Sequence, residues 1–175
     1  IETTEWNDME VLQLVADHWR AVGIKADVKQ MARQLYFKRR EAMLQDVGVW
    51  SASGGQLPLV GPEWFLPTKR SLHARAYGNW FETNGKSGQK PPPDMLRCME
   101  LFREIEQTAS DKRHIELFKQ IIRLNRKNLW VIGTAGNLPE IFLVSNTFRN
   151  VPEMAVAAYS FRTPANVAPE CFSIV

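Results

Sequence analysis

The sequence predicts an α/β fold, a mixed sheet flanked by helices. Two observations carry this. Segments of helical and strand period alternate in the first fifty residues, and two long amphipathic helices lie between residues 93 and 128. Helix, strand, helix, strand in that order describes a crossover unit and a partly parallel sheet.

The elements follow in order. Over residues 8–22, Val11, Leu12, Val15, Trp19 and Val22 fall on one helical stripe. Asn7 or Asp8 can cap its start, and Gly23 suits its end. Ile24, Ala26 and Val28 then alternate with Lys25, Asp27 and Lys29, the period of a strand. A second helix is expected from Gln30 to Leu44 with Met31, Leu35 and Met43 inward, then a short buried strand, "DVGVWS", over 46–51. Residues 52–93 are rich in glycine and proline, with Trp64, Phe65, Tyr77, Trp80 and Phe81 between them. A flexible linker would be polar and poor in aromatics, so an ordered loop that packs on the domain or faces a ligand is expected.

Pro93-Asp94 opens a helix with proline in its first turn. Met95, Cys98 or Met99, Phe102 and Ile105 form its stripe. Ser110 and Asp111 start the next, where Ile115, Phe118, Ile121, Ile122 and Asn125 follow helical spacing. These two read as an antiparallel hairpin packed on the sheet. "LWVIG" (129–133) and "EIFLVS" (140–145) read as strands about the turn at Gly136-Asn137-Leu138-Pro139.

Composition narrows the function classes. A net charge of +3, from 22 basic and 19 acidic residues, does not mark a nucleic-acid binder. The basic stretch "PTKRSLHAR" (67–75) reads as a solvated loop. Cys98 and Cys171 have no metal spacing and read as free thiols. No run of about 18 apolar residues is present. The chain begins at Ile1 with polar residues after it, which reads as a mature product or a cut-out domain.

Gly85-Lys86-Ser87 ends like a phosphate-gripping loop, but the position five residues before Gly85 is Trp80, not glycine. Three prolines, 91–93, stand where a helix start would have to supply N–H groups. A hydrolase reading fares no better. Of the three histidines, His18 and His114 sit in helices, and His73 in the irregular region is the one left to consider. No GxSxG or HExxH motif is present. No enzyme and no cofactor are expected.

Binding remains. Trp50 ends an expected strand, and in α/β sheets ligands collect at strand ends. An aromatic face there can stack on a sugar ring or an apolar side chain. Trp64 and Trp80 are further candidates.

The stretch "LQLVADHWRAVGIKADVKQMARQLYFKRREAMLQDVGVWSAS" resembles a region of the extracellular solute-binding proteins of family 5, the peptide/nickel type. "ELFREIEQTASDKRHIELFKQIIRLNRKNLWVIGTAGNLPEIFLVSNTFRNVP" is similar to the paired helices and final strands of the same family. The resemblance covers nearly the whole chain in the right order. It implies the C-terminal lobe of a two-lobed type II periplasmic binding protein. Residues 1–150 would be that lobe without its first strands, and 151–175 a tail crossing back to an absent N-terminal lobe. It implies a capture subunit that delivers its ligand to an ABC permease, periplasmic or lipid-anchored outside the cytoplasmic membrane. Apolar surface that would face the absent lobe makes dimerisation of the fragment an expectation.

Trp50 falls where oligopeptide-binding members of the family begin a Trp-x-x-Asp stretch whose Asp pairs with the peptide's α-ammonium. Here the stretch is Trp50-Ser51-Ala52-Ser53, without the carboxylate. "YGNWFETNGKSGQKPPPD" is similar to a subgroup that includes binders of oligosaccharides. Trp50, Ser53, Trp64, Asn79 and Trp80 are therefore the expected ligand-binding residues, and the ligand an oligosaccharide or an oligopeptide, with the sugar favoured. The alternative is a structural or protein-interaction domain without a small ligand.

Overall fold

A three-residue strand missing from that expectation organises the first part of the chain. β1, Glu2–Thr4, pairs in parallel with β2, Lys29–Met31, in the register Glu2↔Lys29, Thr3↔Gln30, Thr4↔Met31. On its other side Glu2 bridges Gly48, also in parallel. Glu2, Thr3 and Thr4 are all buried. The computed structural model describes residues 1–5, 9–51, 58–133, 141–158 and 161–174. The chain divides into two compact units, Ile1–Ser51 with Glu63–Leu129, and Ala52–Pro62 with Trp130–Val175.

In the first unit, helix α1 (Met9–Ala21) connects β1 to β2 and buries Leu12 and Ala16. Val11 and Val22, expected on the inward stripe, are exposed. The expected caps Asn7 and Asp8 lie outside the described residues. The helix ends at Gly23, where the Trp19 carbonyl accepts from the N–H groups of Val22 and Ile24. The strand expected at 24–29 overlaps β2 only at Lys29, because the segment that pairs with β1 is 29–31.

Helix α2 spans Arg33–Glu41, shorter at both ends than expected. Its inward residue is the fully buried Tyr36, while Leu35 and Met43 are exposed. Met43 has φ 54 and turns the chain out of the helix. The strand expected at 46–51 reduces to the single bridge at Gly48.

The long irregular region contains a helix. α3, Arg75–Glu82, follows a turn at Pro62–Trp64 and the buried Ser71, whose Oγ accepts from Thr68 N at 2.7 Å. Gly78 in α3 lies so close to the Thr68 backbone that an added Cβ would meet its carbonyl carbon at 2.4 Å. Glycine therefore sets how near this helix sits to the preceding loop.

The two helices of the hairpin pair as expected, but the single mixed sheet on which they were expected to pack does not form among the described residues. α4, Pro93–Glu106, begins with proline in its first turn, and α5, Asp111–Asn128, is capped by Ser110 Oγ accepting from Arg113 N. α4 buries Met95, Cys98, Met99, Leu101, Phe102 and Ile105; α5 buries Leu117, Phe118 and Ile121. Ile115 and Ile122 are exposed, so the α5 stripe is narrower than expected. Both ends of the hairpin are pinned. Glu104 pairs with Arg113, and Asp94 Oδ2 accepts from Lys127 Nζ at 2.8 Å and Asn128 Nδ2 at 2.9 Å.

Burial pushes the Cys98 thiol up to about 12, while Cys171 is exposed. A thiol reagent at pH 8 should label Cys171 in the native protein and reach Cys98 only on unfolding. Equal labelling rates would show that the α4–α5 core opens readily.

In the second unit, β3 (Phe148–Arg149) pairs antiparallel with β4 (Ser173–Ile174). The strands expected at 129–133 and 140–145 do not form among their described residues. Leu129 closes α5 at φ 52, and Ile141, Phe142 and Leu143 are exposed. The apolar pattern there has no partner strand to pair with among the described residues. Among the described residues, two separate two-stranded ladders thus stand in place of the single mixed sheet that was expected.

Candidate functional site

Trp50 stands where the chain leaves the β1 ladder, and α2 determines its surroundings. The Gly48 bridge brings residues 47–50 alongside β1, with Glu2 N donating to Val47 O at 2.8 Å and Val49 N to Glu2 O at 3.0 Å. Tyr36, rising from α2, donates its hydroxyl to Val49 O at 3.2 Å. This fixes the phenol ring under the indole. The Tyr36 and Trp50 centroids lie 5.5 Å apart at 23°, an offset stack. Phe37 tilts against Trp50 at 5.1 Å. Trp50 itself is half-buried, supported from below and not sealed in.

Charge surrounds this aromatic group. Arg33 places its guanidinium carbon 5.3 Å from the centroids of both Phe37 and Trp50, and Arg40 lies 4.7 Å from Phe37. Arg33 and Arg40 are seven residues apart on α2, with Tyr36 and Phe37 between them on the same face. Arg39 points elsewhere and makes a bidentate pair with Glu2, with Nη2 2.6 Å from Oε1. That bond holds the Glu2 carboxyl below its usual range and joins α2 to the buried strand.

The other expected binding residues are held by different contacts. Trp64, half-buried, precedes Phe65, which meets Phe118 edge-on at 5.1 Å. The Phe65 carbonyl accepts from Asn125 Nδ2 at 2.6 Å, so α5 positions this turn. Asn79 and Trp80 are half-buried on α3. The Asn79 backbone carbonyl accepts from Thr83 Oγ1 at 2.6 Å. Among the described residues, no ring contact links Trp50 to Trp64 or Trp80. Ser53 lies outside the described residues.

Gly85-Lys86-Ser87 is a turn that spends its N–H groups internally. Gly85 N donates to Trp80 O at 2.8 Å, Ser87 N to Thr83 Oγ1 at 3.0 Å, and Gln89 N to Ala76 O at 3.0 Å. Gly88 (φ +88) lies where a Cβ would sit 2.2 Å from Ala76 O, so the turn folds tightly back on α3. A Cβ on Gly85 would sit 3.5 Å from the Trp80 Nε1, so the turn braces that indole.

The basic stretch 67–75 meets carboxylates. Lys69 pairs with Glu82 at 3.4 Å, Arg70 with Glu63 at 3.1 Å, and Arg75 with Glu41 at 3.4 Å. Both ring nitrogens of His73 are sealed from solvent and have no hydrogen-bond partner among the described residues. Desolvation lowers the His73 pKa to about 4. No carboxylate orients that ring among the described residues, which a triad would require. His18 is exposed, and His114 Nε2 meets the Thr108 carbonyl at 2.6 Å. No group of three metal-ligating side chains is placed to hold an ion among the described residues. No helix there is long and apolar enough to cross a membrane.

Sequence reasoning reached Trp50 but not the residues that frame it. The signal was present in "RQLYFKRR", where arginines flank an aromatic pair at helical spacing.

No protein-family model and no curated protein matches the chain. A solved structure does, that of an oligopeptide-binding protein, OppA. The likeness has a TM-score of 0.72 at 26% sequence identity and covers 99% of this chain. The chain spans 30% of the length of that protein. Its fold is therefore that of one part of a solute-binding protein, the class the sequence resemblance pointed to.

Proposed function

We propose that this chain is the C-terminal lobe of the capture component of a bacterial ABC importer. It would bind an oligosaccharide or oligopeptide against the Trp50 platform and deliver it to a membrane permease. The observation that carries this reading is the likeness to the oligopeptide-binding protein over 99% of the chain. The half-buried Trp50, stacked on a hydrogen-bonded Tyr36, supports it as a rigid surface for a ring or an apolar side chain. The work is reversible capture, in which closing a second lobe over the ligand removes water from the contact. Trp64, Asn79 and Trp80 are proposed as further ligand-binding residues of the same unit, and Ser53, outside the described residues, is proposed as one by its place in the sequence alone. The place of action would be the periplasm or the outer face of the cytoplasmic membrane.

Tryptophan fluorescence of the full-length, two-lobed protein against panels of oligosaccharides and peptides tests this. Saturable quenching is expected, and Trp50→Ala should weaken binding about tenfold or more, as removal of a central aromatic anchor does. Absence of saturable binding by any solute overturns the reading. Tight binding of ordinary peptides with no sugar response overturns the preference for sugar alone.

A second reading, a protein-interaction domain, rests on exposed apolar residues of and beside α1, namely Val11, Leu14, Val22 and Ile24. A concentration-dependent dimer in light scattering, without solute binding, would favour it.

A further inference from the structure

We infer that the solute meeting Trp50 carries a carboxylate, and that Arg33 is the residue that selects it. The inference rests on the platform reading above and adds the charge of the ligand.

The charges around the platform do not balance. Arg33 is exposed, lies over Phe37 and Trp50, and has no ion-pair partner among the described residues. Arg40 flanks the same Phe37 ring, and its buried Nε has no hydrogen-bond partner among the described residues. Among the described residues, the acid paired with Arg40 is Glu41, 3.7 Å from it and 3.4 Å from Arg75. Glu2 is already committed to Arg39 by a bidentate pair. Arg40 and Arg75 therefore share the Glu41 carboxylate, and Arg33 beside the aromatic stack has no carboxylate paired with it among the described residues.

Such a field attracts an anion and opposes an ammonium group. Arg33 is suited to the attraction. A guanidinium resting on aromatic faces keeps its full charge, and its planar fork of N–H donors matches a carboxylate in two parallel hydrogen bonds. The aromatic rings hold it in place and lower the entropy lost when the ligand arrives. A solute with a ring or apolar body on Trp50 and a carboxylate on Arg33 satisfies both features. A peptide's C-terminal end and a uronic-acid unit of an oligosaccharide present that same chemistry.

Four probes separate the sources, an oligogalacturonate and its methyl ester, and a tripeptide and its C-terminal amide. Affinities are read by calorimetry on the full-length protein, as wild type, Arg33→Gln and Arg33→Lys, with circular dichroism confirming that each variant folds. In at least one pair the acid form should bind about tenfold or more tightly than its neutral partner. Arg33→Gln should abolish that ratio, Arg33→Lys should keep part of it, and rising salt should reduce it. The pair that responds identifies the source. Equal affinity for acid and neutral forms, or an acid preference unchanged in Arg33→Gln, overturns the inference and leaves the capture reading standing. Saturable binding confined to neutral solutes in the wider panels also overturns it alone. No saturable binding of any solute overturns both.

Discussion

Lowering the pH from 6.5 to 4 is expected to remove about 3 kcal/mol of stability through one residue, His73. Its ring nitrogens are sealed and unpartnered among the described residues, so burial opposes the charged form and lowers the folded pKa to about 4. The unfolded imidazole keeps its ordinary value near 6.5. Between these values the unfolded chain binds the extra proton, so stability rises with pH across this window and falls on acidification. About one pH unit above 6.5 both states are neutral and the dependence vanishes. Glu2 acts in a lower window. Its carboxyl is held below the usual value by Arg39, so its contribution is present above about 4.5 and is lost as pH falls through the folded pKa. Urea denaturation at pH 7, 6, 5 and 4.5 measures the first window. His73→Leu should flatten the profile above pH 4.5 and be more stable than the wild type at pH 5, because it removes two buried groups that lack partners. A wild-type midpoint that does not move between pH 7 and 4.5 would show that the imidazole finds water or a partner.

Gly78→Ala should cost about 2 kcal/mol, although alanine is the better helix former. In an open helix this change would gain up to about 1 kcal/mol. Here the new methyl would lie 2.4 Å from the Thr68 carbonyl carbon and 2.6 Å from its oxygen. Backbone cannot rotate away as a side chain can, so either α3 or the 67–71 loop must shift. Movement of α3 carries Asn79 and Trp80 with it. The expected result is a lower urea midpoint and altered fluorescence from Trp80. A variant as stable as the wild type would mean that α3 sits further from the loop.

The parts legible in the sequence and the parts that were not differ in the range of the contacts that make them. The α4–α5 hairpin could be read because its signals are local. Met95, Cys98, Met99, Phe102 and Ile105 recur at helical spacing, Pro93 opens the first helix and Ser110 caps the second. Gly23 marked the end of α1 for the same reason. Trp50 was legible as a candidate from its place at the end of an expected strand. α3 was hidden because residues 52–93 carry so many glycines and prolines, yet Gly78 serves there as a contact surface and not as a helix breaker.

The sequence by itself determined that the stretches of α1, α4 and α5 are amphipathic helices and where they begin, since each turn of a helix is bonded to its own neighbours. Only the tertiary structure decided which extended segments became strands. Glu2-Thr3-Thr4 reads as polar, yet it is buried because Lys29–Met31 and Gly48 pair with it and Arg39 neutralises its carboxylate. Residues 141–145 look more like a strand and stay exposed without a ladder. A strand's hydrogen bonds belong to a partner distant in sequence, and local period does not specify that partner. The Trp50 platform depends on such a partner as well. Tyr36 reaches across thirteen residues to bond Val49 O and so stacks on the Trp50 indole, a contact that exists only once β1 has drawn both segments to its side.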